Sequence, residues 1–372
     1  MSLTLSVEQE ELRTAVRRLL ETKATSAAVR NHMETEAGHD PALWQQMADQ
    51  MGLHGLAIPE EYGGSGFTLS ELAIVAEELG RALVPSPFFA TVGLAAQFLL
   101  ASGDDDACQR WLPSIADGSL TATVAVCDEA GLWDLGAIRT TATAHAQGWS
   151  VSGTKMFVVD GDSAGLVLVI ARDSDGLGLF AVESSDDAVR QSRLDALDPT
   201  RRLGRIELDN AQARRIARPG DSSGFLQQAL DLAVVVLAAE QIGGAQACLD
   251  DAVAYSKVRV QFDRPIGSFQ AIKHKCADIL LHIESARAAV LYAVSRAADP
   301  AEAEFGVCAA AAASYCSLAY SHAAKENIQI HGGIGFTWEH DSHLHLKRAK
   351  TSELLFGTPA AHRARVAELT GI

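Results

Sequence analysis

Gln329-Ile330-His331-Gly332-Gly333-Ile334-Gly335-Phe336 opens the stretch around which the rest of the chain is organised, and Phe356-Gly357-Thr358 closes it. Three glycines within four positions do not suit a helix interior, where each costs about 1 kcal/mol relative to alanine. They suit a turn where backbone must approach something closely, or where peptide N–H groups face an anion. Upstream, Ala309 to Ile330 is largely apolar and contains no proline, which reads as a helix. Downstream, His340 to Leu355 reads as a second one. The residues alone leave two readings open, a phosphate-contacting turn and a plain helix–helix connection.

The 372 residues suffice for two or three domains and a large core. With 31 basic against 47 acidic side chains the net charge is −16. That argues against sequence-independent nucleic-acid binding and against an anionic membrane surface. Local basic groups such as Arg259, Arg264, Lys347 and Arg348 still offer sites for an anionic ligand. The opening Met1-Ser2-Leu3-Thr4-Leu5-Ser6 lacks the basic region and long apolar run of a signal peptide. No uninterrupted apolar run reaches the ~18 residues that span a bilayer, since Asp231 and Glu240 interrupt Leu230 to Ala247. The expectation is a cytoplasmic protein without a membrane partner. Six cysteines without C-x-x-C spacing read as buried free thiols in a reducing compartment. No metal site is read: His340, His343 and His345 are poorly spaced for zinc and read as a solvated helix face.

Residues 1–120 read as helices. Ser6 and Gln9 form a capping box ahead of the stripe Leu12, Val16, Leu19, Leu20. Further helices are expected over 41–51, 70–80 (closed by Gly80), 88–101 and 107–112, the last ending at Pro113. Residues 121–218 hold short β-branched runs, with turns at Gln147-Gly148, Ser152-Gly153 and Asp160-Gly161. Strands without intervening helices predict an antiparallel barrel or sandwich. Four long helices are expected over 224–259, 268–298, 301–330 and 340–355, followed by a tail. The fold class is α+β multidomain: an amino-terminal helical domain (1–120), a middle antiparallel β-barrel or sandwich (121–220) and a carboxy-terminal four-helix bundle (221–372).

Three segments resemble the acyl-CoA dehydrogenase family. Gln329 to Phe336 is similar to its Q-x-x-G-G-x-G-[FY] segment. Arg259-Val260-Gln261-Phe262-Asp263-Arg264-Pro265-Ile266-Gly267-Ser268-Phe269-Gln270 matches R-x-x-F-G-x-x-I-x-x-F-Q with Asp263 in place of glycine. Pro59-Glu60-Glu61-Tyr62-Gly63-Gly64-Ser65-Gly66 matches P-E-E-Y-G-G-x-G. The resemblance implies the three-domain fold, FAD as cofactor, an acyl-CoA substrate from fatty acid or steroid side-chain catabolism, and an electron-transferring flavoprotein as acceptor. It implies a carboxylate base for the α proton and hydride transfer from the β carbon to the flavin. The long apolar faces of Leu230 to Ala247 and Val307 to Ala319 exceed what one monomer covers, so a dimer or a dimer of dimers, homo- or hetero-oligomeric, is expected.

The resemblance places the family's base glutamate at Phe356, and its alternative position at Ala233, so neither carries a carboxylate. The chain thus resembles the short actinobacterial-type subunits lacking that glutamate. Glu240 lies seven residues beyond Ala233 on the same helix face, roughly 10 Å along the axis. Three readings of Glu240 stand: a structural ion pair, a group shaping the pocket, or a displaced base. The resemblance carries dinucleotide contacts onto Arg259, Phe262, Gln270, Gln329, Gly332, Gly333 and Thr358. In the β-domain it places Cys127 where a threonine bonds the flavin ring, Trp133 for a serine, Phe157 for a stacking tryptophan and Val159 for a threonine. For Arg259 a helix C-terminal cation remains an alternative, and for Phe157 a plain core residue. Three functions follow: an active dehydrogenase using Glu240, a subunit completing a neighbour's flavin site, or a flavin-free binding relative.

Overall fold

The computed structural model describes residues 4–146, 148–217, 222–298 and 303–372. The readings made at Met1-Ser2-Leu3, at Gln147, at Arg218 and at the 301 helix start lie outside them. In chain order the elements are α1 (Val7–Lys23), α2 (Ser26–Glu34), α3 (Pro41–Asp49), α4 (Leu69–Arg81), α5 (Ala96–Ala101) and α6 (Asp105–Ala116). Then come β1 (Ala122–Ala125), β2 (Thr141–His145), β3 (Gly148–Val159), β4 (Leu166–Asp173), β5 (Gly176–Glu183), β6 (Val189–Arg193) and β7 (Leu203–Ile216). The remainder is α7 (Ser223–Val258), the short strands β8 (Val260–Gln261) and β9 (Arg264–Pro265), α8 (Gln270–Arg296), α9 (Ala303–His331), α10 (Ser342–Leu354) and α11 (Pro359–Thr370). They pack into two compact units. One comprises Met1–Asn31, Ala73–Val84 and Val234–Ile372, the other His32–Leu72 and Pro85–Ala233.

In the first unit α9 lies against α8, α10 and α11. The capping box forms, with Ser6 Oγ accepting from Gln9 N–H (3.2 Å) and Gln9 Oε1 accepting from Ser6 N–H (3.0 Å). Arg17 clamps the buried Glu78 with two bonds of 2.9 and 2.6 Å, which fixes α1 on α4. Gly80 does not close α4 as expected, because the helix continues to Arg81. A Cβ on Gly80 would stand 2.0 Å from Glu240 O, and one on Gly243 would stand 1.8 Å from Glu77 O. The two glycines let the backbones of α4 and α7 touch, a spacing no side chain permits. The apolar length of α7 is explained by the same packing, since most of its apolar window is buried. The expected tail forms α11, started by Thr358 and Pro359.

The second unit carries a closed β-barrel. Around the ring, β4 pairs β5, β5 pairs β7, β7 pairs β3 and β3 pairs β2, all antiparallel. A parallel bridge between Thr141 and Arg172 returns β2 to β4. The purely antiparallel expectation needs this amendment, together with the parallel pair β1–β4. Residues 160–165 join β3 to β4, which pairs with β1 and β5 rather than folding back on β3. Val151, Val167, Val169, Phe180, Val182 and Ile206 fill the interior. The turn read at Ser152-Gly153 is a bulge inside one continuous β3, with a second irregularity between Lys155 and Val158. Pro113 does not end α6, which runs on to Ala116 because Ile115 and Ala116 continue its buried stripe. The expected helix over 88–101 is π-helical from Phe89 to Ala95. There Thr91 Oγ1 bonds both the N–H and the C=O of Ala122 at 3.1 Å, fixing the start of β1.

Candidate active site

The carboxy-terminal ends of α7 and α9 meet. Tyr255 stacks on His331 with ring centroids 4.2 Å apart, and Asn327 Nδ2 donates to Asp251 Oδ2 at 3.1 Å. These contacts bring the two family-like segments into one neighbourhood. From α7 the chain passes through Arg259 into the β8–β9 hairpin, closed by Arg259 O accepting from Ile266 N–H (2.8 Å). The hairpin turn holds Phe262 at φ 53° and Asp263 at φ 60°. Two left-handed residues are the turn best matched to strand twist. Aspartate tolerates that conformation better than most side chains, which explains how it stands where the family pattern has glycine. Phe262 is 85% exposed, and Arg264 lies 4.0 Å over the ring of Phe269. Arg259 and Gln270 are exposed as well.

At the end of α9, Gly332 adopts φ 66° and a 3₁₀ turn runs to Phe336. A Cβ on Gly332 or Gly333 would meet nothing within 4 Å, whereas one on Gly335 would stand 2.9 Å from His331 Cβ. Gly335 is therefore required by packing and Gly332 by its backbone. Gly333 answers to neither, and its peptide faces open space beside the exposed Gln329. An exposed guanidinium, an exposed ring and uncovered glycine backbone offer groups that an anionic ligand can use.

Ala233 is fully buried in α7, and Phe356 is buried at φ 60° between α10 and α11. Thr358 caps α11, its Oγ1 accepting from Ala361 N–H at 3.2 Å. Glu240 is buried, and its Oε1 accepts from Arg348 Nη1 at 2.8 Å. Arg348, named above as a group open to an anionic ligand, is 3% exposed and engaged with Glu240. Its signal was available: it follows buried Leu344 by four residues, on the same face of α10. Lys347 instead lies 4.3 Å over Trp338. The solvated histidine face needs correction too. His343 is buried edge-on to Trp338, and Tyr320 shares a 2.9 Å hydrogen bond with His345 Nδ1.

In the barrel unit Cys127 is buried, and its Sγ donates to Leu132 O at 3.2 Å. Burial pushes the thiol up to about 12. Its neighbour Asp128 accepts from Thr140 N–H (2.9 Å) and Thr140 Oγ1 (2.7 Å) and pairs with Lys155 at 2.7 Å. Lys155 is fully buried, which lowers its ammonium to about 8, and it donates to Val126 O at 2.9 Å. Phe157 sits at φ 57° in the β3 irregularity, 38% exposed and covering Gly131. It is thus a rim residue rather than part of the barrel core. Val159 is buried, its carbonyl accepting from Thr123 Oγ1 at 2.6 Å.

Residues 6–119 match the model of the acyl-CoA dehydrogenase N-terminal domain, and residues 223–370 match that of the C-terminal domain. The chain belongs to the acyl-CoA dehydrogenase family. It is 39% identical to the acyl-CoA dehydrogenase IpdE2 of Mycolicibacterium smegmatis over 97% of this chain and 98% of that one. Among solved structures it resembles a variant of the Tcur3481–Tcur3483 steroid ACAD, with TM-score 0.90 and 32% identity over 99% of both chains. It also resembles the ChsE4–ChsE5 complex from Mycobacterium tuberculosis, with TM-score 0.90 and 28% identity over 100% of this chain and 99% of that one.

Members of this family bind FAD. Within such a family the site is uneven. The residues exposed at the ends of α7 and α9 keep the family-like motif, while Phe356 and Ala233, where the resemblance puts the base, carry no carboxylate. Sequence reasoning found Glu240 and missed its partner. It also missed the gathering of Asp251, His331 and His340, which are separated by up to 89 positions and joined only by the tertiary fold.

Proposed function

We propose that this chain serves α,β-dehydrogenation of an acyl-CoA as one subunit of a hetero-oligomer, in which a partner subunit supplies the base. The carrying observation is the pairing of Glu240 with Arg348 in a structure whose two family base positions are Phe356 and Ala233. A carboxylate engaged by a buried guanidinium must break that bond before it can act on a substrate, and doing so strands a buried charge. In this reading Arg259 neutralises pyrophosphate charge, while Gly332 and Gly333 present backbone to it. Phe262, Gln270, Gln329 and Thr358 would contribute further contacts to a dinucleotide. In the barrel unit, Phe157 would offer an aromatic face and Cys127 a thiol to a flavin. When bound, FAD supplies acceptance of the hydride from the β carbon, and an electron-transferring flavoprotein is the proposed acceptor. The likeness to a solved steroid ACAD supports a steroid-derived acyl group, and the likeness to the two-protein ChsE4–ChsE5 complex supports the hetero-oligomer.

The test is a visible absorption spectrum of the chain alone and of the chain co-expressed with each dehydrogenase-like neighbour in its genome. The expected result is a flavin band that bleaches with a steroid acyl-CoA only in a two-subunit complex. A band that bleaches in the isolated chain, with turnover abolished in Glu240→Gln, would overturn the reading.

A further inference from the structure

Beneath the glycine turn, three side chains from distant parts of the sequence converge on one point. Asp251 comes from α7, His331 from the last residue of α9, and His340 from the segment before α10. Their donor atoms all lie within 4.8 Å of one another. His331 Nε2 is 3.7 Å from Asp251 Oδ2, and His340 Nε2 is 3.9 Å from the same oxygen. These separations are too long for direct hydrogen bonds. The His331 side chain is only 1% exposed, and its Nε2 has no hydrogen-bond partner. Leaving a buried polar atom in that condition is costly. The arrangement therefore leaves an inward-facing lone pair in need of an occupant.

We propose that Asp251, His331 and His340 bind a divalent transition-metal cation of the zinc class through two imidazole nitrogens and one carboxylate oxygen. In a tetrahedral zinc site with bonds of about 2.0–2.2 Å, neighbouring ligand atoms stand about 3.3 Å apart. The two histidine–aspartate separations need to contract by about half an ångström to close around an ion, and the third by no more than about 1.5 Å.

The surrounding groups orient the ligands as second-layer partners of metal sites do. His331 Nδ1 bonds Asn327 O at 2.9 Å, which fixes its proton on Nδ1 and its lone pair on Nε2. Tyr255 stacks on one side of the same ring. Asn327, itself fully buried, holds Asp251 Oδ2 at 3.1 Å, and a carboxylate oxygen has lone pairs for both partners. His340 Nδ1 lies 2.7 Å from Ser342 Oγ, and a hydroxyl accepts as readily as it donates, so the tautomer that frees Nε2 keeps a partner. The Ser342 N–H, 3.2 Å from that nitrogen, belongs to the first turn of α10, where amides have no helical acceptor in any case. Asp251 and His340 side chains are 42% and 24% exposed, which gives an ion a path in and leaves a position for water. The ion would tie the ends of α7 and α9 to the start of α10 directly below Gly332. This proposal does not depend on the dehydrogenase reading.

The test is calorimetric titration of zinc chloride into the full chain, tag-free and stripped with chelator, alongside X-ray absorption of the wild-type chain with one equivalent of zinc. We expect one zinc per chain, an absorption signature of two imidazoles, and affinity lowered at least tenfold in Asp251→Asn and in His340→Gln. His322→Gln, which breaks the histidine ring pair with His282 elsewhere in the unit, should leave the affinity unchanged. No retained zinc would show that a water fills the site and would overturn the proposal. Affinity indifferent to Asp251→Asn and His340→Gln, or fewer than two imidazoles on the metal, would overturn it too. The wild-type absorption measurement decides the matter even where a variant fails to fold.

Discussion

Glu240 and Arg348 separate a structural pair from a displaced base. Their side chains are 8% and 3% exposed and meet at 2.8 Å, so solvent screens them little. Deleting one member of a buried pair costs about 3–5 kcal/mol, because the other charge stays in low dielectric. Arg348→Met should therefore destabilise its unit by that amount. At about 2–4 °C per kcal/mol for a unit of this size, the melting midpoint should fall by roughly 10 °C. Glu240→Gln keeps the shape and one acceptor for the guanidinium but removes the charge, and should cost about 1.5–3 kcal/mol. The double change Glu240→Leu with Arg348→Met should recover much of the loss, because apolar replacements of buried pairs are often neutral or better. The assay is thermal unfolding followed by near-ultraviolet circular dichroism, with dehydrogenase turnover of the reconstituted complex measured on the same samples. The structural reading requires turnover to fall no further than stability does. A Glu240→Gln protein that melts like wild type but has lost a hundredfold or more in turnover would refute it.

Two further outcomes follow from the packing and the buried histidines. Gly80→Ala and Gly243→Ala should each exceed the usual 1–3 kcal/mol of overpacking. Their new methyl groups would meet backbone carbonyls at 2.0 and 1.8 Å, which no rotamer relieves. Equilibrium urea unfolding reads this, and a cost below 1 kcal/mol in either variant would contradict the α4–α7 contact. In acid, burial lowers His345 and His362 to about 4 from an ordinary 6.5. The unfolded chain binds their protons first, so their contribution is complete above pH 6.5 and is lost as pH falls toward 4. Each adds a slope of up to about 1.4 kcal/mol per pH unit, about 3 for the two. An unfolding midpoint that stays flat between pH 6 and 4.5 would contradict their burial as neutral rings.

Most of the architecture could be read from local pattern. The capping box at Ser6, the proline start at Pro41 and the apolar periodicity of α7 to α10 act over a few residues, and such signals survive into the fold. What could not be read depends on partners distant in sequence. Gly80 looks like a helix stop until Glu240 is seen against it. Ser152-Gly153 looks like a turn until β7 pairs across it on both sides. Arg348 looks like a surface cation until Glu240 is found opposite. The motif residues of the site were legible because their spacing is local, at Arg259 to Gln270 and Gln329 to Gly333. The strand β6, with the polar sequence Val189-Arg190-Gln191-Ser192-Arg193, was not, because its only signal is its pairing with β7.

Two of the altered positions share a backbone property that side-chain comparison misses. Phe157 and Phe356 both adopt left-handed φ, at 57° and 60°. For a bulky residue that pose is a true outlier and costs roughly 1–2 kcal/mol. Strain of this kind persists only where the surroundings impose it. At Phe356 the surroundings are explicit. Leu355 ends α10 in extended geometry, its N–H still bonded to Thr351 O at 3.2 Å. One residue beyond, Gly357 takes φ 122° with His362 packed against it, and Thr358 caps α11. The residue sits at the joint between two helices, whose ends constrain its pose. At Phe157 the register shift in β3 between Lys155 and Val158 does the same, anchored by the buried Lys155–Asp128 pair. In both places the scaffold holds a costly backbone where the family resemblance puts a site residue; at 157 an aromatic ring remains, while at 356 the carboxylate is replaced by phenylalanine. Under the proposed hetero-oligomer, that combination is expected of a subunit whose frame is retained for assembly around a shared cofactor and whose acid–base work lies with another chain.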